Sequence, residues 1–295
     1  MNIKGPVILL AALAGAGPIN RVASDTQGVV VAVLSSDLAP YQEAFRGFQE
    51  AFGPVTVFNL AKEEPKIFPQ TSVIVTFGGK AALKSYPDNA TLIYCLAAGV
   101  KIKAGDRGPR AVKVYIVPRP AVLASRLKAL QPSLSRLAIL WNSEGFEDYV
   151  IQAKREFFFL GVKIVSERLA DSDDLAARLR SLQGKVGALW LMPDPTLVTA
   201  RNFSMTREFS LSNGIPFYSP TAGLVENGAT ASVSISFAEM GRAAALAAQE
   251  ALLGEALPDE IYPQKTETVL SQKAALATGL TLTPEVMSTV DRVLP

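Results

Sequence analysis

An α/β chain folded as two doubly wound parallel-sheet lobes joined by a hinge is what this sequence predicts, on three observations. From Gly28 onward, short β-rich runs alternate with longer amphipathic ones, the pattern of a parallel sheet covered by helices on both faces. The alternation breaks at Pro118-Arg119-Pro120 and then resumes. The length, 295 residues, approaches the size at which one hydrophobic core divides into two.

The runs 29–34, 55–58, 73–77, 91–95 and 112–117 read as strands of the first lobe, each nearly continuous in apolar residues. Between the first two, Tyr41, Phe45, Phe48 and Phe52 are spaced by four, three and four, which places them on one face of a helix as a core stripe. Pro118 and Pro120 cannot continue a central strand, so the chain leaves the first sheet there. Strands of the second lobe follow at 137–141, 162–165, 188–192 and 231–235. Two helix starts are marked by capping chemistry, Asp194 before Pro195 and Ser236 three residues before Glu239, and Gly254 closes the helix that begins at Phe237.

Composition excludes several function classes. There is no histidine, so Ser-His-Asp, Cys-His and His-metal chemistries are absent, and no metal or cofactor is expected. The single cysteine, Cys95, lies inside the apolar run 92–96, where a thiol behaves as a small hydrophobe. The formal net charge is +2 with no run of like charges, which argues against a nucleic-acid groove or a polybasic membrane patch and suits a small-molecule site. At the start, Lys4 precedes the apolar run 7–13, and Ala14-Gly15-Ala16 supplies the small-x-small pattern of a signal-peptidase site. The apolar run is well short of the roughly 20 residues needed to span a bilayer, so an exported protein is expected, processed near Ala16.

The last third carries a resemblance. Gly214-Ile215-Pro216-Phe217-Tyr218-Ser219, Val225-Glu226-Asn227-Gly228-Ala229, Met240-Gly241-Arg242-Ala243-Ala244 and the segment Gly279-Leu280-Thr281-Leu282-Thr283-Pro284-Glu285-Val286 resemble the ABC-transporter substrate-binding family of the tryptophan/tyrosine-type importers. Earlier echoes are Gly47-Phe48 after the first strand, the run 73–76 with Gly78, and Trp141-Asn142 with Glu144. The resemblance implies a type I periplasmic-binding-protein fold with three crossings between lobes and ligand held in the cleft. It also implies delivery to an ABC permease with its ATPase, and ligands that include aromatic amino acids. On that plan residues 1–27 are a signal peptide and disordered start, 28–118 form the first lobe completed by 237–295, and 119–236 form the second. A monomer without catalytic activity is expected, located in the periplasm or otherwise outside the cytoplasm. Two departures, Ser35 to Pro40 where the family often has His-Pro and Phe77-Gly78-Gly79-Lys80 where a small-residue turn is usual, fall at strand ends, where ligand contacts are made.

Ligands of open α/β sheets bind beyond the carboxyl ends of strands, which selects the candidates. Ser35, Ser36 and Asp37 follow the first strand and either contact ligand or cap the next helix. Thr76, Phe77, Gly78 and Gly79 follow the third, as a glycine turn or a cradle of backbone donors for an anion. Trp141 offers an indole face for stacking, with Asn142 and Glu144 to orient a ligand, whereas Trp190 sits within its strand and reads as core. Asp194 either pairs with a ligand ammonium or caps a helix, and Ser219 and Thr221 supply hydroxyls. Two other readings stay open: a ligand-sensing domain without a transporter, and a hydrolase using Glu144, Asp194 and Asp37 as acid and base.

Overall fold

The computed structural model describes residues 29–102 and 108–295, so the expected signal peptide lies outside the described residues. The first lobe opens with β1 (Val30–Leu34), α1 (Ala39–Phe52), β2 (Thr56–Asn59), β3 (Val73–Phe77), α2 (Gly79–Ala82), β4 (Thr91–Cys95) and β5 (Arg110–Val114). The chain then crosses into α3 (Pro120–Leu130), β6 (Arg136–Trp141), α4 (Glu147–Phe159), β7 (Lys163–Arg168), α5 (Leu175–Leu182), β8 (Ala188–Leu191), α6 (Ala200–Asn213), β9 (Phe217–Ser219), α7 (Ala222–Glu226) and β10 (Ala231–Ser234). It returns for α8 (Phe237–Leu252) and β11 (Glu260–Ile261), and crosses a third time into β12 (Glu267–Ser271), α9 (Gln272–Ala277), α10 (Pro284–Met287) and β13 (Arg292–Leu294).

These strands form two sheets, ordered β11-β5-β4-β3-β1-β2 and β13-β12-β10-β9-β8-β6-β7. All pairings are parallel except β10 with β12. The central strands are buried on both faces, while the edge strands β2 and β7 are partly exposed, and successive residues of a central strand feed different cores. Val30, Ala32 and Leu34 pack under α1 and α8, while Val31 and Val33 pack on the opposite face. α1 and α8 cross very closely, because a Cβ at Gly47 would overlap the backbone of Ala238 and one at Gly241 the backbone of Ala44. The aromatic stripe does what its spacing predicts: Phe45 and Phe48 meet Phe77 edge-on at 5.8 and 6.0 Å between ring centroids.

Two expectations are corrected here. Residues 237–295 do not all complete the first lobe: α8 and β11 do, but β12 and β13 belong to the second sheet. The reason is hydrogen bonding, since β10 has an open edge that Glu267–Ser271 fills in antiparallel register, with Ala231 opposite Leu270. Asp194-Pro195 does not open a helix either. α6 begins at Ala200, with Thr199 Oγ1 accepting from the Asn202 N–H, and Asp194 caps the preceding turn instead. At α8 the Ser236 hydroxyl accepts from the Glu239 N–H as its spacing implies.

The crossings are residues 115–119, 235–236 and 262–266. Tyr115 of the first and Tyr262 of the third stack with centroids 4.2 Å apart and planes at 6°, and Arg119 covers Tyr262 at 5.1 Å. The lobes also touch beside the hinge. Gly145 N–H donates to the Gly99 carbonyl at 3.2 Å, Lys113 Nζ donates to the Gly145 carbonyl at 3.0 Å, and Lys101 pairs with Asp148 at 2.7 Å. Lys113 is buried, which holds its pKa below the ordinary lysine value against the opposing pull of Glu260 and Asp148.

Candidate functional site

A cavity of about 600 Å³ lies between the lobes, lined by residues that follow strands of both sheets. The first lobe contributes Ser35 and Ser36 after β1, Gly79 and Lys80 after β3, and Leu96 and Ala98 after β4. The start of α1 adds Leu38, Pro40 and Tyr41. The second lobe contributes Pro195 after β8 and Thr221 after β9, and the crossings bring in Ile116 and, at the start of α8, Phe237.

Local chemistry holds the first-lobe wall in place. The Ser35 hydroxyl is buried and accepts from the Ala81 N–H at 2.9 Å, tying the end of β1 to α2. Gly78 sits at φ +103, and any Cβ there would crowd the Ser35 hydroxyl and the Tyr41 ring. Leu96 is the one non-glycine among the described residues at positive φ, +54, a left-handed conformation that costs about 1–2 kcal/mol for a side-chain-bearing residue. That strained leucine stands on the cavity wall, where the packing around it fixes the turn out of β4.

The second-lobe wall is organised by one carboxylate. Asp194 is fully buried at the end of β8, and its two oxygens accept from Asn142 N–H (2.8 Å), Ser143 N–H (2.7 Å), Ser143 Oγ (2.7 Å), Thr196 N–H (3.1 Å) and Thr196 Oγ1 (2.9 Å). Burial alone would raise its pKa, but the hydrogen bonds from Ser143, Asn142 and the Thr196 hydroxyl outweigh burial and hold it below the ordinary carboxylate value. The turn after β6 and the turn after β8 are thereby locked together. Asn142 extends the lock by donating to the Leu169 carbonyl at 2.8 Å.

Residues 124–294 match the sequence profile of a family described as ABC transporter substrate binding protein. The chain belongs to that family. No curated protein sequence matches the chain. Among solved structures, the ABC domain in complex with L-Trp from Streptococcus pneumonia superposes with a TM-score of 0.63 at 18% identity, covering 90% of this chain and 100% of that one. A ligand-free, open substrate-binding protein with adhesive properties from Clostridium difficile gives 0.62 at 16%, covering 90% and 98%. A conserved domain protein from Vibrio cholerae gives 0.64 at 14%, covering 90% and 99%. At such identities the likeness carries the fold, two parallel-sheet α/β lobes of the type I periplasmic-binding-protein kind.

The residues expected at the ligand site of this substrate-binding protein divide into those on the cavity and those in the core or at the surface. Ser35, Ser36, Gly79 and Thr221 line the cavity. Trp141, expected to face the inter-lobe space, does not: it is 6% exposed and packs in the second-lobe core with Ile139, Phe146 and Tyr149. Leu137, Ile139 and Trp141 share one face of β6 while Ala138 and Leu140 take the other, so the strand's period of two turns the indole under the covering helices. Trp190 is core, as its mid-strand position implies.

Phe77 and Thr76 are completely buried, Phe77 against the α1 stripe. Asp37 is exposed and turned to Asn59 at 2.7 Å and Lys62 at 3.2 Å. Ser219 is buried and donates to the Thr221 carbonyl at 3.1 Å. Glu144 is exposed in the turn leading to α4 and is absent from the cavity lining. Sequence reasoning missed nine of the lining residues, Tyr41, Lys80, Ile116, Pro195 and Phe237 among them. Tyr41 carried a readable signal, because it is the stripe residue nearest the helix start and therefore nearest the strand ends. Ile116 and Phe237 carried none, since only the crossings place them.

Proposed function

We propose that this protein is the extracytoplasmic receptor of an ABC importer and captures a small molecule in the inter-lobe cavity without transforming it. The observation that supports this reading most directly is the cavity itself, walled by strand ends of both sheets, by the first crossing at Ile116 and by the start of α8, so that closing the hinge encloses a bound molecule. Its wall is largely apolar, with Tyr41 and Phe237 able to flank a flat body and the hydroxyls of Ser36 and Thr221 able to orient it. A small molecule with a flat apolar body, of the kind that aromatic amino acids and their analogues carry, fits that lining, and one structure of the same fold is described as a complex with L-Trp.

The protein acts as a monomer that hands its cargo to a permease and its ATPase. None of Asp37, Glu144 and Asp194 lines the cavity, and Asp194 is committed to five hydrogen bonds, which argues against an acid/base set. Among the described residues no helix is long and apolar enough to cross a membrane. A thermal-shift screen of amino acids, organic acids, nucleobases and sugars tests the reading, since a ligand at 100 times its Kd adds about 2.7 kcal/mol of stability. The hit should lose at least tenfold in affinity with Tyr41→Ala or Thr221→Ala and should compact the protein in small-angle scattering. Binding that ignores both substitutions places the ligand elsewhere and refutes the proposal.

A further inference from the structure

We infer that the cavity takes an apolar or aromatic carboxylate that carries no ammonium group, in other words a deaminated acid rather than an amino acid. This rests on the reading of the inter-lobe cavity as the ligand site, and it concerns the charge of the ligand. An α-amino acid presents two charges to its receptor, and a site that excludes water must offer each an opposite partner or leave one buried unpaired. The wall offers one. Among the described residues Lys80 is the only charged one lining the cavity, and it forms no ion pair with another of them.

The carboxylates that adjoin lining residues in the chain, Asp37 and Asp194, stand outside the lining. Asp37 follows Ser36 but does not line the cavity; it is exposed, and its Oδ1 is turned to Asn59, Lys62 and, at 3.4 Å, Gln42. Asp194 precedes the cavity residue Pro195, but its oxygens are filled by donors of Asn142, Ser143 and Thr196, which leaves no acceptor for an ammonium. The remaining polar groups favour an anion. Ser35 uses its oxygen to accept from the Ala81 N–H, so its hydroxyl proton remains to be donated, and Ser36 likewise accepts from the Leu38 N–H at 3.4 Å. Together with Lys80 these hydroxyls give a mostly apolar lining several donors and one positive charge. The specificity follows as a difference: the acid meets Lys80 and the hydroxyls, while the amino acid meets the same groups and adds an ammonium without a counter-charge.

Calorimetry on the full chain with four compounds built on one ring separates the possibilities: phenylpropionate, L-phenylalanine, phenethylamine and phenylpropionamide. The expected order is the acid at least tenfold tighter than the amino acid, with the amide weaker than the acid and the amine without measurable binding. Lys80 is exposed, so Lys80→Met should keep the wild-type melting temperature while the acid loses at least tenfold and the amide is unchanged. The inference is overturned if phenylalanine binds as tightly as the acid, if amide and acid bind alike, if Lys80→Met leaves the acid unaffected, or if none of the four binds. A Tyr41→Ala variant tells this failure from failure of the cavity reading. Acid binding that survives Tyr41→Ala removes the cavity as the site, whereas some other solute that needs Tyr41 keeps the site and removes the charge class.

Discussion

Asp194 is the residue whose removal should tell most about how the second-lobe wall is built. Its side chain is fully buried and receives three backbone N–H groups and two hydroxyls within 3.1 Å. Asp194→Ala leaves those donors without an acceptor, at about 1–3 kcal/mol for each one that water cannot reach. Asn142 and Ser143 are only half-buried, so part of the loss is recovered by hydration, and about 3–5 kcal/mol is the expected cost. Asp194→Asn keeps one acceptor oxygen and should lose roughly half of that.

The pH dependence has a definite sign. A carboxylate whose folded pKa lies below the unfolded value of about 3.9 stabilises the fold above that pH, and the contribution fades as pH falls through the folded value. The gap between wild type and Asp194→Ala in urea unfolding should therefore be full at neutral pH and narrow below about pH 4. Because Pro195 lines the cavity beside this lock, ligand affinity should fall as well. A variant within about 1 kcal/mol of wild type at neutral pH, or a gap that stays constant into acid, would refute the reasoning.

Trp141→Ala should cost about 3–5 kcal/mol in unfolding experiments while ligand affinity in calorimetry stays within about threefold, because the indole belongs to the second-lobe core. A tenfold loss of affinity at unchanged stability would return Trp141 to the ligand. Gly145→Ala would drive a Cβ into the Gly99 carbonyl of the other lobe, so the variant should fail to compact on ligand addition and bind at least tenfold more weakly. Normal compaction in small-angle scattering would mean that the Gly99–Gly145 contact does not belong to the closed state.

Much of the fold was legible in the sequence because the signals are local. The strands at 73–77 and 91–95 coincide with β3 and β4, and Ser236 caps α8 through the spacing that marks it. The positions just beyond the strands were equally readable: Ser35, Ser36, Gly79 and Thr221 stand on the cavity because a parallel sheet presents its carboxyl ends on one edge. What no local signal carried was direction and partnership. In a sheet buried on both faces the apolar runs are continuous, so nothing in Leu137 to Trp141 says which way the last side chain turns, and only the packing of α3 and α4 puts Trp141 in the core. Glu267 to Ser271 reads as a strand for either lobe until the open edge of β10 claims it. Asp194 follows the pattern of a helix cap, and only the arrival of Asn142 and Ser143 from another strand end, 52 and 51 residues away, makes it the lock of the second-lobe wall. Sequence determines where the chain bends and which residues reach the strand ends; the tertiary structure decides which of them face the cavity, because facing depends on contacts between segments far apart in the chain.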